Sequence, residues 1–338
     1  MSQPSLHELF SRVQKSSDKW ALYLDLYEEW FATIRDRPVS ILEIGIQNGG
    51  FTSVLAEYFR QAERIVGCDI NEKCSELVFS DPRISVVIGD ASDVGTYERI
   101  KAQSGQFDIV IDDGSHTSKD IVTAFCHYFP LLKDDGLFIA EDLHCSYWIQ
   151  YEGGLAHQYS SMSFFKLLAD VVNYEHWGVP QSRSRLLEQI CAHHGCEIPE
   201  QELGKVFSVT FVNSMCLVKK KAAKQVMLGE RLVTGSDAAV VNNAPFNHTE
   251  ALRFDQRGNP YSDLGLIGNK HVFGLFEELM AQCGPGMAEV KRELAELKEE
   301  LMAQCGPGMA EVKRELAELK EELSWLRWIR KFFKAASR

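Results

Sequence analysis

Short apolar runs alternate with amphipathic segments over the first 220 residues. Five of the runs are rich in β-branched residues: SILEIGI (40–46), RIVGCDI (64–70), ISVVIGD (84–90), FDIVIDD (107–113) and GLFIAED (136–142). Residues 51–62 and 119–132 instead show helical spacing, and so does the segment before residue 40. Because buried strands separated by helices form right-handed βαβ units, the pattern predicts an α/β fold with a mostly parallel sheet.

The last apolar segment of this region has a different pattern. Residues 206–220 form two alternating runs around a short polar break. Alternation of this kind predicts an antiparallel hairpin that closes the sheet at its C-terminal end.

A glycine-rich turn follows the first predicted strand. The sequence EIGIQNGG begins at Glu43 and has its first glycine at Gly45, so it lacks the GxGxxG spacing of a dinucleotide site. Glu43 suits a cationic ligand, Asp69 at the end of the second strand suits ribose hydroxyls, and Asp90 and Ala91 follow the third strand, where adenine would lie. These acids favour S-adenosylmethionine (SAM), which carries a sulfonium and an ammonium. The alternative is a generic nucleotide-fold turn with capping acids.

Acidic residues also end the fourth and fifth predicted strands. Strand four ends in DDGSH, which contains Asp112, Asp113 and His116, and strand five ends in Glu141 and Asp142. We assign Asp112 to the cofactor and predict that Asp113, Glu141 and Asp142 bind Mg²⁺, because clustered carboxylates need a cation. His116 is the candidate general base. In the alternative interpretation, the polar residues of DDGSH merely cap the next helix.

These motifs resemble a known family. SDKW (17–20), ILEIGIQNGG (41–50), FDIVIDDGSH (107–116) and LFIAEDLHCSYW (137–148) are similar to the macrocin and mycinamicin type of sugar O-methyltransferase, and to the related family named for cephalosporin hydroxylase. The resemblance covers about residues 15–220. It implies a class I methyltransferase fold, Mg²⁺ held by the second Asp of DDGSH and the ED pair, and the His as general base. It also implies a sugar hydroxyl as the acceptor.

The long segment between the fifth strand and the hairpin contains further candidate groups. Tyr147, Trp148, Tyr151 and the glycine pair 153–154 are candidates for a lid that faces the sugar; plain core packing is the alternative. Farther along, residues 191–196 read CAHHGC. That spacing is too tight for all four Cys and His side chains to reach one tetrahedral ion, so no zinc site is predicted from them.

Net charge narrows the expected partners. The chain has 36 basic and 48 acidic residues, a net charge of −12, which disfavours nucleic acid as a partner. Nine scattered cysteines are typical of reduced cytosolic thiols, and neither a secretory signal nor an apolar stretch of 18 residues is found. We therefore expect a cytoplasmic protein.

The C-terminal part differs from the body. Residues 279–300 are repeated identically at 301–322, and apolar residues spaced 3 and 4 apart follow each GPG. This seam predicts a coiled coil that makes homo-oligomers, or alternatively a solvated spacer helix. We predict four segments: a SAM-dependent methyltransferase domain (1–222), a polar extension or linker (223–275), a duplicated coiled-coil spacer (276–323) and a basic amphipathic helix (324–338).

The basic helix suggests where the protein acts. Its apolar face carries two Trp and two Phe, and its other face carries only basic charge. This pattern predicts binding to an anionic membrane surface; docking on a partner protein or on the chain's own body are the alternatives. We therefore expect a SAM- and Mg²⁺-dependent O-methyltransferase of surface glycan or lipopolysaccharide biosynthesis, with a lipid-linked acceptor, peripheral on the inner face of the cytoplasmic membrane. A non-catalytic scaffold for glycan assembly and a methyltransferase of a glycosylated natural product are the alternatives.

Truncation tests the membrane prediction. The full chain should float with anionic liposomes, and a chain ending at Leu323 should not, because it lacks the aromatic and basic groups of the tail. Flotation in a density gradient measures the difference. Equal partitioning of the two chains would reject the anchor.

Overall fold

The computed structural model describes residues 3–257, 259 and 262. The coiled-coil repeats and the basic helix predicted above lie outside the described residues, so both stay predictions. Among the described residues, no helix combines the length and the apolar character needed to cross a bilayer.

A seven-stranded sheet forms the centre of the fold. Its strands are β1 (Ser40–Ile44), β2 (Arg64–Asp69), β3 (Ile84–Ile88), β4 (Phe107–Asp112), β5 (Leu132–Ala140), β6 (Val206–Val212) and β7 (Met215–Lys220). Their order across the sheet is β3-β2-β1-β4-β5-β7-β6. The first five strands pair in parallel, whereas β7 runs antiparallel to both β5 and β6. The predicted parallel sheet with a closing antiparallel hairpin is therefore confirmed.

Helices cover both faces of this sheet. They are α1 (Leu6–Arg12), α2 (Ala21–Phe31), α3 (Gly50–Tyr58), α4 (Val94–Gln103), α5 (Ser118–Tyr128), α6 (Ser161–Val172), α7 (Arg183–His194) and α8 (Glu200–Leu203). Side chains that alternate along β4 explain the two layers: Ile109 and Ile111 join the core under α1, α2 and α3, whereas Val110 joins the core under α5, α6 and α7. Strands buried on both faces are the continuous apolar runs seen in the sequence.

One predicted boundary was wrong. The helix expected over 119–132 ends at Tyr128, and β5 begins at Leu132 rather than at residue 136. Pro130 explains the early end, because proline has no backbone N–H and cannot continue a helix. The extra strand residues pair Leu132 with Phe107 across an irregularity in the ladder.

The segment after β7 lies along the surface up to residue 257. It is mostly irregular, with short 3-10 turns at Ala223–Gln225 and Ala244–Phe246. Two hydrogen bonds fasten it to the turn after α6: the Leu228 N–H donates to Glu175 and the Gln256 N–H to the Gly178 carbonyl. The four-segment division of the chain itself stays a prediction.

Candidate active site

The site lies where the strand order reverses. β1 has β2 on one side and β4 on the other, and ligands of open α/β sheets bind at such a switch point, beyond the carboxyl ends of the strands. Gly45 brings the turns after β1 and β4 together. It has a φ of +86°, and a Cβ there would lie 2.0 Å from the Asp113 carbonyl oxygen. Only glycine fits this approach.

Glu43 and Asp69, two of the acids predicted to bind the cofactor, differ in how deeply they are buried. Glu43 is 1% exposed; its carboxylate accepts a hydrogen bond from the Thr52 hydroxyl at 2.6 Å, and burial raises its pKa to about 7. Asp69 is half-buried and accepts backbone N–H groups from Gln47 and Asn71, each at 2.8 Å. Glu43 is thus held beneath the turn, whereas Asp69 fixes the shape of the loop above it.

The third strand places its predicted residues as expected at the same edge. Asp90 is exposed and accepts the Ser92 N–H at 2.8 Å. The carbonyl of the half-buried Ala91 accepts a hydrogen bond from the Tyr128 hydroxyl at 2.7 Å, which ties this loop to α5.

Asp112 has an unused acceptor. Its Oδ1 accepts the Gly114 N–H at 3.4 Å, but its buried Oδ2 has no hydrogen-bond partner among the described residues. Burial, with the charge of Asp113 adding to it, raises the pKa of Asp112 to about 7. A buried carboxylate oxygen without a donor is suited to a cationic ligand group.

Lys19 contacts two of the three predicted metal ligands. Its Nζ lies 2.5 Å from Asp113 Oδ2 and 2.7 Å from Glu141 Oε1, and its side chain is 2% exposed. Burial alone would lower the pKa of Lys19, but the charges of Glu141 and Asp113 outweigh that effect and raise it. This ammonium therefore neutralises part of the buried acidic cluster.

Two tyrosines of α2 contact the adjacent acidic pair. The Tyr27 hydroxyl donates to Glu141 Oε1, and the Tyr23 hydroxyl donates to Asp142 Oδ1 at 2.7 Å. The two tyrosines are one helical turn apart and therefore point the same way, although they meet consecutive residues of the loop after β5.

A second set of groups can hold a cation together. One ligand atom each of Asp113, His116 and Asp142 lies within 4.8 Å of the others. The separation of His116 Nε2 from Asp142 Oδ2 is 3.7 Å. Glu141 is outside this set because its carboxylate is directed to Lys19 and Tyr27. The three predicted ligands are thus neighbours, but only two of them share this cluster.

Backbone strain marks the same place. His116 has a φ of 59° and Asp142 a φ of 52°, both in the left-handed region that most residues avoid. Such conformations persist where surrounding contacts hold them, and they cluster at functional sites. Burial also lowers the pKa of His116, so its imidazole is neutral at neutral pH and can accept a proton.

Exposed aromatic rings surround Asp142 and His116. Trp20 is 61% exposed and Trp148 is 49% exposed, and both rings contact His144. The Tyr151 ring lies 6.4 Å from the His116 ring. Large apolar rings left in solvent beside polar groups are typical of a binding surface.

Sequence reasoning missed the contribution of the N-terminal segment. Lys19, Tyr23 and Tyr27 reach the site from the loop before α2 and from α2 itself. The motif SDKW, which contains Lys19, was used only as part of the family resemblance. The spacing of Tyr23 and Tyr27, four residues apart, was the signal that could have placed both on one helical face.

The strand order and the helices on both faces are those of the class I methyltransferase fold, which confirms the predicted fold class. Residues 23–141 match the family model described as FtsJ-like methyltransferase. The mycinamicin-pathway methyltransferase MycE, solved with Mg, SAH and mycinamycin VI, is 26% identical with a TM-score of 0.55; the match covers 66% of this chain and 55% of MycE.

Two curated methyltransferases are similar to about half of this chain. It is 37% identical over 172 residues to the 8-demethyl-8-alpha-L-rhamnosyl tetracenomycin-C 2'-O-methyltransferase of Streptomyces olivaceus, covering 48% of this chain and 44% of that protein. It is 32% identical over 194 residues to the demethylmacrocin O-methyltransferase of Streptomyces fradiae, covering 54% and 48%. The chain spans about half the length of these relatives. The resemblance to macrocin- and mycinamicin-type sugar O-methyltransferases is thereby confirmed.

Replacing Lys19 tests its role as a counter-ion. We expect Lys19→Met to lower the free energy of unfolding by about 3–5 kcal/mol in chelator, because it leaves two buried carboxylates without their cation. Mg²⁺ should restore part of the loss by supplying positive charge to the same acids. Chemical denaturation with EDTA and with Mg²⁺ measures both effects. Lys133→Met is the control, since Lys133 pairs with Asp108 and is 34% exposed; equal losses in the two variants would contradict the role.

We expect Asp112→Asn to raise the stability of the fold and to weaken the binding of SAM. The folded-state pKa of about 7 lies above the ordinary 3.8, so stability falls as the pH rises from about 4 to 7. The amide escapes this penalty. The variant should match the parent at pH 4, exceed it by up to ~4 kcal/mol at pH 8, and bind SAM more weakly. Denaturation at the two pH values and calorimetry test this, with the exposed Asp90→Asn as stability control; a pH-independent difference would refute the account.

Proposed function

We propose that this chain is a SAM- and Mg²⁺-dependent O-methyltransferase that methylates a sugar hydroxyl, with His116 as the general base. The observation that carries the proposal is the convergence of Asp113, His116 and Asp142 beside the Gly45 turn, at the switch point of a class I methyltransferase sheet. The named relatives supply the substrate class, because those quoted above include a methyltransferase of a rhamnosyl sugar.

The residues present fit SAM. Because Gly45 has no side chain, the turns after β1 and β4 meet through their backbones at the centre of the sheet edge. The free Oδ2 of Asp112 is a buried acceptor for an ammonium. Asp69 and the Asp90–Ala91 loop follow the next two strands, where ribose and adenine would be bound. When bound, the cofactor supplies an electrophilic methyl group on a sulfonium.

The donor set also fits a hard divalent cation. Asp113 and Asp142 offer carboxylate oxygens, which Mg²⁺ prefers, and Glu141 is next to them on the loop after β5. We propose that Asp113 and Asp142 hold the ion. Glu141, the third ligand that the sequence predicts, is fixed beside them by Lys19 and Tyr27. The ion would lower the pKa of a bound sugar hydroxyl and orient it.

His116 removes the proton of the acceptor hydroxyl. Its neutral imidazole accepts the proton of the sugar hydroxyl, and the charge of Asp142, 3.7 Å away, stabilises the imidazolium that forms. Bound SAM would supply the methyl carbon to this oxygen and would keep the electron pair of the broken carbon–sulfur bond on sulfur. Asp112 and the turn at Gly45 position the methyl donor, so both reactants are held in one orientation.

The exposed aromatic rings give the acceptor a surface. Trp20 and Trp148 present apolar faces to solvent near Asp142, and the half-buried Tyr151 lies between Trp148 and His116. Gly153 shapes this loop, because a Cβ there would lie 2.2 Å from the Ser146 carbonyl oxygen. We propose that these rings bind the sugar, which replaces the alternative of plain core packing for Trp148.

We also propose what kind of molecule carries the sugar. The basic aromatic pattern predicted for residues 324–338 supports a lipid-linked surface glycan at a membrane, with oligomers formed through the repeats. The names of the relatives instead favour a glycosylated natural product as the acceptor. A non-catalytic scaffold is disfavoured because the acids, the histidine and the glycine turn are all present.

Removing the imidazole tests the mechanism. His116→Ala should lower methyl transfer by about 10²–10⁴-fold, because the other two members of the cluster, Asp113 and Asp142, are committed to the ion, while SAM affinity stays unchanged. Transfer of label from SAM to lipid-linked glycan extracts and to rhamnosylated acceptors measures activity, and calorimetry measures binding. His7→Ala, an exposed histidine on α1, is the control. Full activity of His116→Ala, or of the parent in excess chelator, would reject the assignment.

A further inference from the structure

Three cysteines meet on the side of the sheet covered by α5 and α7. The Sγ atoms of Cys126, Cys191 and Cys196 all lie within 4.8 Å of one another. Cys126 and Cys191 are buried, and Cys196 is partly exposed. No function proposed above uses these thiols.

The end of α7 builds this arrangement. The helix ends at His194, and Gly195 follows with a φ of +72°. This left-handed residue reverses the chain, so the Cys196 N–H donates to the Cys191 carbonyl at 3.0 Å. The reversal places two cysteines of one short segment side by side, facing Cys126 in the last turn of α5.

A buried hydroxyl adjoins the thiols. Thr123 lies one helical turn before Cys126 and is 6% exposed. Its hydroxyl interacts with the Cys196 side chain and makes no hydrogen bond of normal geometry to another group among the described residues. An oxygen therefore lies beside the three sulfurs and can serve as a fourth ligand.

We propose that Cys126, Cys191 and Cys196 bind a soft divalent cation of the zinc class, with Thr123 or a water in the fourth position. Three sulfurs within mutual reach are a ligand set for Zn²⁺, which prefers thiolates and takes four ligands. A disulfide needs two sulfurs and leaves the third without a role. His194 is not part of this set, because its Nε2 is hydrogen-bonded to the Tyr159 carbonyl at 2.7 Å.

This site is separate from the candidate active site. Eight residues of α5 separate Cys126 from Ser118, next to the DDGSH turn, and they correspond to about 12 Å along a helix. Hard oxygen ligands at one end of α5 and soft sulfur ligands at the other select different ions. A cation on the thiols would join the ends of α5 and α7.

Cobalt titration of the full chain tests the proposal. The experiment uses a reduced Cys283→Ser/Cys305→Ser background, so that thiols of the repeats do not contribute. We expect one equivalent of Co²⁺ to give thiolate-to-cobalt charge-transfer absorption that Zn²⁺ abolishes. Cys196→Ser should lose this absorption, because its side chain is a ligand and is exposed enough to replace without unfolding. Cys216→Ser, a buried cysteine in β7, should keep it.

A measurement without variants at the site supports the same test. In that background, Zn²⁺ but not Mg²⁺ should protect the partly exposed Cys196 from alkylation, as read by mass spectrometry. Absence of thiolate absorption, or equal absorption in Cys196→Ser, would overturn the proposal. So would a disulfide formed among the three with hydrogen peroxide in a protein that binds no cobalt, which would make the cluster a redox pair.

Discussion

The ion pairs of Lys19 organise the acidic edge of this molecule. Glu43, Asp113 and Glu141 lie close together and are largely buried. The charge of Asp113 raises the pKa of both Glu43 and Glu141, and the charge of Glu141 raises that of Glu43. One buried ammonium touching two of them reduces that repulsion. Since removing one partner of such a cluster costs about 3–5 kcal/mol, the loop that carries Lys19 must close over the strand ends for the edge to be stable.

The same contact separates the roles of two consecutive acids. Glu141 is directed inward to Lys19 and Tyr27, whereas Asp142 takes a left-handed backbone and lies beside His116. In extended backbone, neighbouring side chains point to opposite sides. Asp142 departs from that conformation, and its carboxylate lies beside His116. An inward acid fixes the position and an outward acid meets the ligand, so a simple ED pair supplies both functions.

Periodicity predicted the sheet, the hairpin and the strand-end acids because each depends on local burial. Strands buried on both faces must be apolar throughout, and acids directly after them must lie at the sheet edge. The position of Lys19 could not be predicted in this way. Lys19 and Asp113 are 94 positions apart in the sequence, and no local spacing encodes which distant cation a buried carboxylate meets. The orientation of Glu141 depends on that contact and was missed for the same reason.

The cysteine cluster shows what spacing within one segment leaves out. CAHHGC was judged as a ligand set on its own spacing, and as such it fails, because His194 is turned to a carbonyl. The fold removes the histidine from the set and supplies Cys126 from another helix. A spacing rule therefore tests whether one segment can complete a site, but not whether it can contribute half of one. Two ligands held by a helix-terminating glycine are sufficient wherever packing brings a third, and α5, which begins at the candidate active site, carries that third ligand at its far end.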